Sequence, residues 1–174
     1  MLYTRALDAC KIGVFRDICL RTDIPNYIGR IYPRAVVESA VEKVQERVAN
    51  RTLYGGLLTE KGEEGWTTTG ASLGNLSHVV TDLHLDENGD LIAVVDILNT
   101  KDGIVVASLL EAKAAGLFTR GIGSIEKDEE TGNMIVQPDF EIQSVDICLL
   151  EKKTWPQPEL RCQPETLALN ASTD

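Results

Sequence analysis

The chain is short of the residues from which many metal and catalytic sites are built. Its 174 residues include only two histidines, His78 and His84. A metal centre usually needs three or four converging ligands, so two histidines leave little to assemble one. The four cysteines, Cys10, Cys19, Cys148 and Cys162, are scattered without a C-x-x-C pair. That spacing argues against a zinc ribbon or a dense disulfide framework and fits reduced thiols in a cytoplasmic setting. Lysine and arginine total 17 against 27 acidic residues, a net charge of −10. A nucleic-acid surface needs concentrated cations, and none cluster here. No apolar run approaches the ~18 residues of a membrane span, and no charged-then-apolar leader follows Met1. Neither membrane insertion nor secretion is expected.

What is present is ordinary for a globular protein: 43% apolar and 25% charged residues. Residues 1–150 read as one domain, and 151–174 as a tail of different composition with Trp155, Pro156, Pro158 and Pro164. Within the domain, Lys11–Leu20 alternates as a strand does. Pro33 opens a helix to about Asn50, with Val37, Val41, Val44 and Val48 at helical spacing and the charged Glu38, Glu42, Lys43, Glu46 and Arg47 on the other face. Leu53 to Gly74, rich in glycine and threonine, predicts an extended loop. Asn75–Leu85 and Leu91–Leu98 alternate on either side of Asn88-Gly89, a hairpin signal. Asp102 is a suitable cap for a helix from Gly103 to Ala115, with Gly116 as its closing glycine. Strands at about 119–127 and 134–150 flank a second turn, Glu129 to Asn133. This order predicts an α+β domain, a mainly antiparallel sheet or barrel flanked by helices.

The segment Gly116 to Ser124 holds the chemical interest. It joins a predicted helix to a predicted strand, a junction where backbone amides often face a site. Phe118 at its centre cannot be a nucleophile. Gly121-Ile122-Gly123-Ser124 is too short and badly placed for a dinucleotide fingerprint, so no cofactor is expected.

Four blocks, Gly29-Arg30-Ile31-Tyr32-Pro33-Arg34, the helix after it, Asn75 to Leu83, and Thr119 to Ser124, together resemble the prohead core proteases of tailed phages. These are the T-even type of maturation protease, with a fold similar to herpesvirus assemblins. The resemblance runs from about Asn26 to Leu150. It implies a His–Ser pair, in which serine attacks a peptide carbonyl and histidine takes its proton. Carried over by position, the histidine falls on Thr59 and the serine on Phe118, with Gly56 where the family has a glutamate. Both essential groups are therefore absent, whereas Gly116, Arg120, Gly121, Gly123 and Ser124 of the site loop remain. Since such a pair acts as a unit, its loss removes most of the acceleration. Asp146 matches an aspartate in the family's last strand.

Other residues could stand in for the missing pair. Thr119 is the nearest hydroxyl, although strand alternation aims it away from Phe118. His78 is a substitute base in such a scheme, and Ser124 a second hydroxyl. His78, Asp82 and His84 share a parity, so one polar sheet face could carry all three. No metal is expected there. Trp66 and Trp155 each either anchor an interface or cover the domain's own core.

The resemblance implies a phage head protein that binds the capsid shell without cutting: a minor capsid, decoration or cement protein in the virion, assembled in the host cytoplasm. Its expected partners are the major capsid protein or other head proteins. Self-association through the Pro33–Asn50 helix is a further mode, unless the valine stripe packs inward. The alternatives are an active protease with a rearranged site, or an internal core or assembly factor.

Overall fold

The computed structural model describes Asp8 and residues 10–26, 28–58 and 75–149. Thr59, Trp66, Trp155 and the whole 151–174 segment lie outside the described residues.

In chain order the elements are β1 (Lys11–Arg21), β2 (Arg30–Ile31), α1 (Arg34–Ala49), β3 (Tyr54–Leu58), β4 (Leu76–Leu85), β5 (Asp90–Leu98), α2 (Lys101–Glu111), β6 (Ala115–Ile122), β7 (Ile125–Lys127), β8 (Met134–Val136) and β9 (Glu141–Leu149). Six strands form the main sheet in the order β1-β5-β4-β3-β9-β6, and three form a small one, β2-β8-β7. The main sheet is antiparallel except where β3 runs parallel to β9. Its two ends approach each other: Thr119 on β6 donates to the Cys19 thiol on β1 at 3.2 Å, and the Leu117 amide faces the Asp17 carboxylate at 3.5 Å. The sheet is therefore curled, and the architecture is the α+β one predicted.

Helix α1 buries Val36, Val37, Ala40, Val41, Val44 and Val48 against the sheet. Each such valine stabilises the fold by about 1.5–3 kcal/mol. The valine stripe thus packs inward, and Glu38, Glu42, Lys43 and Glu46 face solvent. The β4–β5 hairpin turns where Asn88-Gly89 predicts it, with Gly89 at φ 82° and the Asp86 carboxylate accepting the amides of Asn88 and Asp90.

Several expectations need correcting. The Leu53–Gly74 segment is not all loop, because Tyr54–Leu58 is strand β3. It pairs antiparallel with β4 on one side and parallel with β9, about ninety residues away, on the other, and no local pattern signals a parallel pairing of that kind. Helix α2 starts two residues early. Its cap is Thr100, whose hydroxyl accepts the Gly103 amide at 3.0 Å, while Asp102 lies in the first turn. The helix ends at Glu111, and Lys113 takes the left-handed turn at φ 53°. Gly116 is consequently no helix terminator; it sits inside β6 opposite Cys148. The long strands break as well. Residues 115–127 split between two sheets at Gly123-Ser124, and 134–149 split before Glu141.

The parity of β4 also changes along its length. Register slips between Val80 and Asp82, leaving Thr81 as a bulge residue. A bulge reverses the faces beyond it. His78 is fully buried, whereas Asp82 and His84 are exposed and pair with each other at 2.8 Å. The three do not share a face, and His78 is not on a solvated one.

Candidate active-site region

Strand β6 lies at one end of the sheet against β9, and the register sets Phe118 opposite Asp146, Thr119 opposite Val145 and Arg120 opposite Ser144. Alternation puts Phe118 and Arg120 on one face and Leu117 and Thr119 on the other.

Asp146 is the hub of the first face. Its carboxylate is 1% exposed and accepts from Arg120 Nε at 2.8 Å and from Ser144 Oγ at 2.8 Å. Its second oxygen accepts the Gly56 amide at 3.1 Å. Arg120 also reaches Ser144 Oγ through Nε and Nη2. One carboxylate therefore ties β9 to β6 and β3, and a charge this deeply buried is tolerable only because each of its oxygens is hydrogen-bonded. Cys148, one alternation further along β9, has its thiol raised well above the usual range, first by burial and then by the Asp146 charge, so it stays protonated.

His78 sits nearby in a sealed arrangement. Its Nε2 lies 2.7 Å from the Val145 carbonyl, which can only accept, so this nitrogen carries the proton. Nδ1 then accepts from Ser77 Oγ at 2.8 Å. The hydroxyl-to-imidazole polarity is that of a nucleophile–base pair. Neither residue has any exposed surface, however, so no peptide carbonyl can reach the hydroxyl. Burial also pushes the imidazole down to about 4, which keeps it neutral and weakens it as a base. The ring lies against β3 only because position 55 is glycine. A Cβ there would run into both His78 and the Val145 carbonyl.

The hydroxyls weighed as replacements are placed elsewhere. Thr119 donates to the Cys19 thiol, which burial raises to about 12, so its partner is not a base. Ser124 donates through both its amide and its hydroxyl to the exposed Asp139 carboxylate at 2.9–3.0 Å. Those bonds hold Asp139 below its ordinary range. Among the described residues, Ser77 is the one hydroxyl hydrogen-bonded to a histidine. Gly121 and Gly123 are needed for close approach, because a Cβ at either would strike Phe140, whose ring stacks edge-on against Tyr32 at 5.4 Å. No group of three or more potential metal ligands occurs among the described residues, and no described helix is long and apolar enough to cross a membrane.

Ser77, Ser144, Gly55 and the role of the Gly56 amide are not singled out by sequence reasoning. Only Ser144 carried a usable signal, two residues before Asp146 on an alternating strand.

No family model matches the chain, and no curated protein does. A solved structure, that of the bacteriophage T4 capsid assembly protease gp21, is similar with a TM-score of 0.66. The chain has the fold of gp21. The likeness covers 78% of this chain and 80% of gp21, at 22% sequence identity. Residues Phe118, Arg120 and Asp146 thus sit on a scaffold that gp21 shares, although at this identity the likeness speaks for the fold alone.

Proposed function

We propose that this chain is a phage head protein that binds without cutting, a minor capsid, decoration or cement component built on the prohead-protease scaffold. The observation that carries the reading is Phe118, which stands opposite Asp146 where the family resemblance puts the serine. Its surroundings support this. The Asp146–Arg120–Ser144 cluster ties β6 to β9, and His78 has both nitrogens committed inside the sheet. Thr119 and Ser124 are hydrogen-bonded to a thiol and an exposed carboxylate rather than to a histidine. A scaffold kept without its nucleophile serves best as a binding surface, and the major capsid protein or another head protein is the natural partner.

The test combines binding with proteolysis. Purified protein is incubated with cognate capsid and scaffold proteins and followed by intact-mass measurement, then sedimented with heads. Intact substrates and co-sedimentation are expected. Specific cleavage that Thr119→Ala abolishes would overturn the reading and favour a protease with a rearranged site. Absence from purified virions, with presence in proheads, would point to an internal assembly factor.

A further inference from the structure

The two helices α1 and α2 among the described residues treat solvent differently. The outward residues of α1 include Glu38, Glu42, Lys43 and Glu46, an ordinary charged face. Helix α2 exposes Lys101, Ile104, Val105, Ser108, Glu111 and Ala112, which recur at three- and four-residue steps and so form one stripe. Between its two ends that stripe carries no charge. Ile104 is 54% exposed and Val105 44%. Opposite charges close the stripe, Lys101 at the start and Glu111 at the end, about 15 Å apart along the axis. Neither has an ion-pair partner among the described residues.

We propose that this face of α2 is a self-association surface on which a second copy of the chain docks with its own α2 antiparallel. The charge pattern selects that occupant. Related by a two-fold axis near the middle of the helix, the two stripes set Lys101 of each copy against Glu111 of the other, and Ile104 against Ser108. A parallel arrangement would instead oppose like charges. A chain of net charge −10 repels its own copies over most of its surface. The uncharged stripe with self-complementary ends adds no such repulsion where two copies meet. A helix about 16 Å long and about 10 Å across offers far less than the ~800 Å² per partner of a standard interface. The dimer is therefore weak in dilute solution and populated where copies are concentrated.

Sedimentation equilibrium of the full chain, from roughly 1 µM to 1 mM, tests this. The wild type is expected to move from one chain mass toward two, and Ile104→Glu to stay monomeric. Lys101→Glu and Glu111→Lys should each weaken association by roughly tenfold, because two exposed pairs turn repulsive. An equimolar mixture of those two variants should recover it, since every facing pair is then again opposite in sign. A wild type monomeric throughout the range would overturn the proposal. So would association that Ile104→Glu leaves intact, or a mixture no tighter than either variant alone.

Discussion

His78 makes the stability of this protein depend on pH in a defined direction. The buried ring is neutral and its folded value lies near 4, against 6.5 for a free imidazole. Between those values the unfolded chain binds the proton and the folded one does not, so stability rises with pH across that window. The contribution is fully present above about pH 6.5 and is lost as pH falls toward 4. Two-state linkage gives a loss of about 2 kcal/mol by pH 5 and about 3 kcal/mol by pH 4. Carboxylates such as Asp139, held low by its bonds to Ser124, also titrate as the solution becomes acid, so the informative quantity is a difference. Urea unfolding of wild type and His78→Gln is measured at steps from pH 4 to 7. The glutamine amide can still donate to the Val145 carbonyl but cannot bind a proton. The wild-type stability minus that of the variant should fall by about 2 kcal/mol between pH 7 and 5. A flat difference would refute the buried neutral imidazole, and a rise on acidification would mean the ring is stabilised as a cation.

Three other substitutions probe the same region. Gly55→Ala should destabilise by about 3 kcal/mol or more, read from the urea midpoint. His78→Ala should not rescue it, because the Val145 carbonyl blocks the new Cβ as well. Asp146→Asn leaves an acceptor for the Gly56 amide but strips Arg120 of its charge partner, at a cost of about 2–4 kcal/mol. A double-mutant cycle with Arg120→Met should recover part of that, and additive effects would deny the coupling. Phe118→Ser alone should yield no cleavage of capsid or scaffold proteins by mass spectrometry, since both His78 nitrogens are occupied within the sheet. Turnover in that variant would mean that a base outside the described network serves the position.

The legible part of the fold was the part written locally. The valines of α1 recur at helical spacing because one face of a helix must meet a core, and Asn88-Gly89 marks a hairpin because glycine accepts φ 82° without strain. The expectation that Phe118 and Thr59 stand where a serine and a histidine would be needed rests on residue identity alone. The helix around Gly103 was visible but its ends were not. Its start depends on Thr100 accepting the Gly103 amide, and its end on Lys113 adopting the left-handed turn.

Tertiary contact decided the rest. The bulge at Thr81 separates His78 from Asp82 and His84, and only pairing with β5 shows that one residue there has no partner. The parallel contact of β3 with β9 brings the Gly56 amide onto Asp146 across 90 residues of chain. Sequence alone determined which groups are available: two histidines, no serine at 118, glycines where backbone must come close. The curled sheet determined which of them meet, because long-range strand register is a property of the packed core and leaves no mark on neighbouring residues.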